Sequence, residues 1–366
     1  MAGGRRIAGV LLLALLLVGA GGCWDQIPVE WRAVVTAIGV DPTRDPGIER
    51  YTFIFPNISL TTSTLPTTPT SQEFYSIVVR APSLMMALRA LQARQSRILY
   101  LGQLRILALS TRLPQSVWRR ILSAAADSGR FVLTFWAVAT PAAGDLVRLI
   151  SPTQIAPEVA LYRALNSLCQ PIIWPGRGWK LWVDTVTPGI SPAVADVVPV
   201  GSDSFHLGPL YVLSGNPRLW SPGATRGWAY LTGQVRWESM RVHIAQGRFT
   251  LSFIRGAANL SFQPRGSSVL VDDHLSYAGT ITTNAPMAHS EAMNDALERA
   301  AAGKIRQAAD AAWRMALATG TDPMGWHRDV RWMDSRVPIG QGKSLWSGWS
   351  LSLHVHFKVR DEGALE

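Results

Sequence analysis

The amino-acid sequence predicts an α+β fold, and three observations support this prediction. Strand-like and helix-like patterns alternate between residues 24 and 170, which is typical of an α/β sandwich. Short alternating strand patterns follow residue 208, and residues 290–318 form one long helical pattern. Residues 349–360 alternate apolar and polar side chains without a break, which predicts a strand with one buried face. We therefore expect the C-terminal part to combine an antiparallel sheet with one long helix.

The first half contains buried-strand patterns and two helix patterns. The strand patterns have high apolar density and cover residues 31–41, 51–55, 105–109 and 131–138. Ser83 is placed to cap a helix over residues 84–95, and residues 115–126 predict a second helix. The stretch 60–72 is rich in threonine, serine and proline, which predicts a loop.

The second half follows a stretch rich in proline, glycine and valine, residues 170–205, which predicts connections or edge strands. Gln246-Gly247 lies between two alternating runs and predicts a hairpin turn. Asp272-Asp273-His274 is interpreted as a turn between strands. The predicted strands cover residues 235–242, 249–253 and 269–271.

The composition excludes two classes of protein. With 48% hydrophobic and 16% charged residues, the chain of 366 residues is too apolar to remain disordered. Its two cysteines exclude a disulfide-stapled scaffold. The net charge of +10 would by itself permit nucleic acid or an anionic membrane as partner.

The N-terminus favours the membrane. Arg5-Arg6 precedes the apolar run 7–18, and small residues 19–22 lead to Cys23, which together describe a secretory signal peptide. The apolar run is shorter than the roughly 20 residues that a membrane-spanning helix needs. The junction resembles a bacterial lipobox with Ala20 at the usual aliphatic position, so Cys23 is the expected site of a covalent diacylglycerol lipid and an N-acyl chain such as palmitate. The alternative is an ordinary signal peptide followed by an incidental cysteine. A lipid-anchored chain outside the cytoplasm is not expected to bind nucleic acid.

Four sequence blocks stand out along the chain. In chain order they are Cys23-Trp24-Asp25 with residues 34–41, residues 96–109, residues 227–237, and Asp322-Pro323-Met324-Gly325 with Trp346 and the closing strand. Together they resemble the Ger(x)C family, the C subunits of spore germinant receptors, whose mature chains open with Cys-Trp-Asp and a hydrophobic strand that ends Gly-Ile/Val-Asp. The third block resembles the strand that opens the family's C-terminal half. Gln103 stands where the family usually carries histidine, so no role specific to that histidine is transferred.

The resemblance implies a lipoprotein of three mixed α/β domains on the outer face of the spore inner membrane. It implies two multispanning membrane subunits as partners and a role in nutrient-triggered germination. We divide the chain into a cleaved signal peptide (1–22), an N-terminal mixed α/β region (23–205) and a C-terminal α+β domain (206–366).

A tryptophan-rich segment is the candidate interface. Trp174, Trp179, Lys180 and Trp182 combine aromatic rings with bases in a segment expected to be flexible, which would suit a membrane surface or a partner. The alternative is that these rings pack beneath a domain junction. Cys169 is expected to be a buried free thiol.

No catalytic or metal site is predicted. The sequence lacks the nucleophile-elbow, zinc-protease and phosphate-loop motifs, so we expect a non-enzymatic protein without a bound cofactor or metal. His354 and His356 share a strand face with Lys358 and Arg360, which favours a solvated face over a metal site. Two other functions remain open. One is a lipid-anchored solute receptor for an importer, and the other is a cell-wall hydrolase with paired carboxylates that only the fold would bring together.

Overall fold

The structure is a computed structural model of the 366-residue chain. Several sequence predictions lie outside the residues that it describes: the signal peptide, Cys23, the predicted loop 60–72 and Cys169. The structure describes residues 28–56, 74–149, 157–168, 170–201, 204–214, 218–281, 290–337, 340 and 342–360. Within these ranges, no helix is both long enough and apolar enough to cross a membrane.

The chain folds into helices and strands in the following order. The described strands are β1 (Arg32–Val34), β2 (Ala37–Pro42), β3 (Glu49–Pro56), β4 (Phe74–Ala81), β5 (Ile98–Tyr100), β6 (Ile106–Ser110), β7 (Trp136–Thr140), β8 (Ala193–Val200), β9 (Ser204–Val212), β10 (Arg218–Leu219), β11 (Ser239–Ile244), β12 (Gly247–Arg265), β13 (Ser268–Ile281) and β14 (Trp349–Arg360). The described α-helices are α1 (Leu84–Gln92), α2 (Gln115–Asp127), α3 (Ala143–Arg148), α4 (Pro157–Asn166), α5 (Gly178–Val186), α6 (Pro222–Leu231), α7 (Glu291–Thr319) and α8 (Trp326–Met333).

The N-terminal unit is an eight-stranded mixed sheet in the order β10-β9-β8-β7-β6-β2-β3-β4. Its central strands β2, β6, β7 and β8 run parallel to one another, and antiparallel strands complete both edges. Residues of α1, α2 and α5 share the core on one face, and residues of α3 and α4 share the core on the other. This arrangement is the α/β sandwich that the sequence predicts, and β9 crosses the proposed boundary at 205/206.

The C-terminal unit is a four-stranded sheet in the order β11-β12-β13-β14, which shares one core with α6, α7 and α8. Strands β11 to β13 are antiparallel, as predicted, but β14 pairs with β13 in parallel. Parallel neighbours need a long crossover connection, and here α7 and α8 supply it. Ser290 caps α7, and β14 has the bounds that its alternating pattern predicts.

Several elements differ from the sequence predictions. The stretch 170–205 contains helix α5 and the buried strand β8 rather than connections or edge strands. Residues 227–231 belong to helix α6, although the block 227–237 resembles a strand. Asp272-Asp273-His274 lies in the middle of β13 and is not a turn. The strand predicted over residues 131–138 begins only at Trp136.

A glycine explains why α6 was missed. Gly227 lies inside the helix, where glycine is unfavourable relative to alanine. A Cβ atom at this position would lie 1.8 Å from the backbone oxygen of Ala308 in α7, so the glycine allows the two helices to approach closely. Tertiary packing therefore overrides the local sequence preference.

Two buried aspartates cap helices; Asp41 caps a helix about 100 residues away, and Asp322 caps the helix that follows it. The Asp41 carboxylate accepts hydrogen bonds from the backbone N–H groups of Ala143 and Gly144, each at 2.8 Å, at the start of α3. The Asp322 carboxylate accepts from the backbone N–H groups of Gly325 (2.9 Å) and His327 (2.8 Å) at the start of α8. A carboxylate at a helix N-terminus satisfies free N–H groups and complements the helix dipole.

Asp322 also holds a buried histidine. His327 Nδ1 lies 2.9 Å from Asp322 Oδ2, and its Nε2 lies 2.9 Å from the backbone oxygen of Leu345. Both ring nitrogens therefore face oxygen atoms. The histidine and the aspartate form a buried, hydrogen-bonded pair.

We expect Asp322→Asn to lower the free energy of unfolding by about 3–5 kcal/mol, because it breaks this buried pair and turns an amide N–H₂ group toward backbone donors. Urea unfolding of the purified chain measures the change. The matched control is Asp334→Asn, which removes an exposed pair with Arg336 and should hardly change the unfolding midpoint. Equal midpoints for Asp322→Asn and the unmodified chain would contradict the assigned role.

Asp196 is a buried carboxyl group in the middle of β8. Burial raises its pKa from 3.8 to about 6, and the nearby His206 lowers it only in part. Because the folded-state pKa is raised, the folded chain holds this proton more tightly than the unfolded chain. The stabilising contribution is therefore complete below about pH 4 and is lost as the pH rises through about 6.

We expect Asp196→Asn to stabilise the chain in a pH-dependent way. The gain in unfolding free energy over the unmodified chain should be close to zero near pH 4 and reach about 3 kcal/mol above pH 7, since a shift of about two pKa units corresponds to this energy. Denaturant unfolding at a series of pH values measures the difference. A gain that is independent of pH would show that ionisation of Asp196 is not its cause.

Candidate functional site

The candidate site is a cavity of about 510 Å³ between the N-terminal and C-terminal units. Four tryptophans contribute to its lining: Trp136 of β7, Trp174, Trp228 of α6 and Trp326 of α8. This volume lies in the range of small-molecule and anchor-residue pockets. A larger cleft of about 900 Å³ lies along the loops 185–191 and 318–320, but its described lining contains no aromatic side chain. The tryptophan-lined cavity is therefore the better candidate.

The segment that carries Trp174 is fixed between the two units by backbone hydrogen bonds. The Ile173 N–H donates to the Gln234 oxygen at 2.8 Å, and the Ala137 N–H donates to the Gly176 oxygen at 2.8 Å. Gly176 has φ +117°, and a Cβ atom there would lie 2.6 Å from the Ala137 oxygen. The glycine is required at this position because it combines a left-handed backbone with close contact to β7.

Ion pairs line one side of the cavity. Asp184 accepts from Lys180 Nζ at 2.6 Å and from Arg328 Nη1 at 3.3 Å, and Arg328 Nε donates to Asp329 at 2.9 Å. Asp184 and Lys180 belong to α5, whereas Arg328 and Asp329 belong to α8. The Asp184–Arg328 bond therefore joins the N-terminal and C-terminal units at the cavity.

Arg177 and Arg236 add two more positive charges to the lining. The Arg177 guanidinium lies over the Trp136 ring, 4.3 Å from its centroid, and it also donates to the Asn166 side-chain oxygen. Together with the lysine and arginine of the ion pairs, the lining carries four cations and two carboxylates, an excess of two positive charges. The cavity therefore suits an aromatic group or an anionic group of a partner.

The structure divides the predicted interface residues between core and surface. Trp174 is buried and lines the cavity, which agrees with the alternative that rings pack beneath a junction. Trp179 is 56% exposed, and Trp182 is half-buried on the same helix. Lys180 lines the cavity and pairs with Asp184. All but Trp174 lie on α5, so the segment is largely helical rather than flexible.

Two further exposed tryptophans flank the cavity, and the sequence analysis did not single them out. Trp237 is 40% exposed and follows the lining residue Arg236 in the chain; its indole N–H donates to the Leu168 oxygen at 2.9 Å. Trp332 is 81% exposed, and the guanidinium of the lining residue Arg328 lies 5.8 Å from its ring centroid. We call Trp179, Trp237 and Trp332 the aromatic rim.

A sequence signal for the aromatic rim exists. Each of its tryptophans adjoins a base in the sequence: Trp179-Lys180, Arg236-Trp237 and Arg331-Trp332. The sequence analysis used the combination of tryptophan and base only for the segment that contains Trp179 and Lys180. The cavity lining includes Arg236, which precedes Trp237 in the chain, and Arg328, whose guanidinium lies 5.8 Å from the Trp332 ring centroid.

The remaining predicted positions lie elsewhere. His354 and His356 are exposed on β14, as the solvated-face interpretation predicts. Trp346 is buried, and Trp349 is half-buried beside it.

Comparison with known proteins finds one matching family profile and a similar crystal structure. The profile described as the spore germination protein N-terminal domain matches residues 25–195. The fold is similar to the crystal structure of the GerBC protein, with a TM-score of 0.55 and 12% sequence identity over 88% of this chain and 96% of that chain. No curated protein matches the chain. The domain match covers residues 34–41 and 96–109 of the first two blocks, and the fold likeness extends over both units. Both findings support a protein of the Ger(x)C spore germination family.

Proposed function

We propose that the protein is a lipid-anchored accessory subunit of a spore germinant receptor and acts through protein–protein contacts. The observation that carries this proposal is the spore germination domain over residues 25–195 within a chain whose whole fold resembles GerBC. In this proposal the subunit has no catalytic activity of its own. Its partners are two multispanning membrane subunits, and its place is the outer face of the spore inner membrane.

The proposed anchor is diacylglycerol with an N-acyl chain on Cys23. One acyl chain binds a membrane only marginally, whereas two or more give stable attachment. Cleavage after residue 22 would remove Arg5 and Arg6 and no acidic residue, so the net charge would fall from +10 to +8. A basic protein is attracted to anionic headgroups. Residence in the membrane would raise the effective concentration of the subunit beside its partners without any new contact.

The proposed docking surface is the aromatic rim with the cavity behind it. Tryptophan and arginine dominate the binding energy of protein interfaces, particularly beside well-packed pockets. Trp332 and Trp237 expose apolar rings next to Arg328 and Arg236. This combination supports docking of a partner that inserts an apolar or acidic side chain into the cavity.

The alternative function, a solute receptor for an importer, has less support. Such receptors usually consist of two similar α/β lobes around a ligand cleft. Here an eight-stranded mixed sheet faces a four-stranded sheet with a 29-residue helix, so the two units are unlike each other. The difference favours an accessory subunit.

We expect Cys23→Ala to release the protein from the membrane fraction and to slow nutrient-triggered germination. The physical reason is the loss of every acyl chain, since burial of each methylene contributes about 0.8 kcal/mol to membrane attachment. Fractionation of spore membranes followed by immunodetection measures the effect. Cys169→Ala is the matched control, because it removes the other cysteine of the sequence and should leave the protein in the membrane. Full membrane retention of Cys23→Ala would refute the anchor.

We expect the double substitution Trp237→Ala with Trp332→Ala to reduce recovery of the two membrane subunits when the protein is captured from detergent-solubilised spore membranes. Loss of one interface tryptophan commonly costs about 2 kcal/mol or more, equivalent to about 30-fold in affinity. Trp31→Ala is the control, because Trp31 is 67% exposed and neither of its neighbours in the chain lines the cavity. Undiminished recovery by the double variant, with its thermal unfolding unchanged, would argue against this docking surface.

A further inference from the structure

Three side chains with metal-binding atoms meet on the exposed face of the four-stranded sheet. His274 of β13 lies directly opposite His354 of β14 in the parallel register. Asp272 lies two residues before His274, and alternate residues of a strand point to the same face. All three side chains are therefore presented on one side of the sheet, away from the core that α7 covers.

The ligand atoms are close together. Asp272 Oδ2 lies 3.4 Å from His274 Nε2, and Asp272 Oδ1 lies 3.2 Å from His354 Nε2. The two imidazole rings are stacked with 4.5 Å between their centroids and 15° between their planes. One ligand atom from each residue lies within 4.8 Å of the others.

These separations match the geometry of a zinc site. Zinc binds imidazole nitrogen and carboxylate oxygen at about 2.0–2.2 Å in a tetrahedral arrangement, which places its ligand atoms roughly 3.3 Å apart. The distances from Asp272 to both histidines already have this value. Small side-chain rotations would bring the two ring nitrogens into the same coordination sphere, because both side chains are more than half exposed; His354 Nε2 would exchange its 3.0 Å hydrogen bond with Ser352 Oγ for the metal.

We propose that His274, His354 and Asp272 bind a divalent transition-metal ion, with zinc as the physiological ion. Imidazole ligands favour zinc, copper and nickel, whereas calcium and magnesium prefer sites made only of oxygen atoms. Three protein ligands leave a fourth position for water or for a side chain of a partner. This site is independent of the lipid anchor and of the aromatic rim.

The surrounding charges permit a cation at this position. Lys358 and Arg360 share the face of β14, which spoke against a metal in the sequence analysis. Lys358 lies four residues beyond His354, or roughly 13 Å along the strand, which exceeds the Debye length of about 8 Å at physiological salt. On the other side, β12 places the uncharged Asn259 and Ser261 opposite His274 and Asp272. The Asp272 carboxylate is therefore the nearest charge, and it is negative.

The test is titration of the tag-free full chain, purified in detergent, with zinc chloride in a buffer that does not coordinate metal. We expect calorimetry to show one zinc equivalent per chain. His274→Asn and His354→Asn should each weaken zinc binding at least about tenfold, since even loss of an outer-sphere partner costs about 10–100-fold. His356→Asn is the matched control, because His356 lies on the same face two residues further along and outside the cluster; its zinc affinity should equal that of the unmodified chain.

Three outcomes would overturn the proposed zinc site. The first is that the unmodified chain binds no zinc, and the second is that His274→Asn binds zinc as tightly as the unmodified chain. The third is that His356→Asn loses as much zinc affinity as His354→Asn. Thermal unfolding without zinc verifies that all variants fold, which is expected because the histidines are exposed. Added zinc should raise the unfolding temperature of the unmodified chain and of His356→Asn, but not that of the two ligand variants.

Discussion

The carboxylate of Asp322 is the constraint on which the junction of the two units depends. Its oxygens cap α8 and hold the ring of His327, which in turn binds the Leu345 oxygen just before β14. Its backbone exchanges two hydrogen bonds with Ser191, on the segment that leads into β8. Asp322 therefore fixes the start of α8 and the segments that lead into β8 and β14.

The hydrogen bonds around Asp322 also position residues that line the cavity. Trp326 and Arg328 belong to the helix that Asp322 caps, and the Trp228 indole N–H donates to the Pro323 oxygen at 3.0 Å. From the N-terminal unit, Asp184 meets Arg328. The same few hydrogen bonds therefore position both the tryptophans and the charged side chains of the cavity. A partner that docks at the aromatic rim would meet Trp179 and Trp332 on helices and Trp237 with its indole N–H hydrogen-bonded, so docking would cost little ordering entropy.

The sequence predicts elements whose signals are local, and it fails where the deciding contact is distant. Helix α7 and strand β14 follow from unbroken periodicity and a serine cap. The blocks around Asp41 and Asp322 carry the family resemblance, but the capping role of Asp41 depends on Ala143, 102 residues away, and the Asp322 backbone N–H donates to Ser191, 131 residues away. The His274–His354 pair follows from parallel pairing between β13 and β14, whereas an antiparallel sheet was the simpler expectation.

The parallel pairing of β14 with β13 also determines which residues lie on the exposed face of the four-stranded sheet. Because α7 and α8 cover one face of the four-stranded sheet, the other face carries the polar residues of β13 and β14 into solvent. A purely antiparallel return would have placed other residues beside His274, and no pair of stacked imidazoles would have formed. The same crossover places α8, and with it Trp332 and Arg328, at the junction with the N-terminal unit. One topological choice therefore places both the proposed metal ligands and part of the proposed docking surface, although the two sites share no residue.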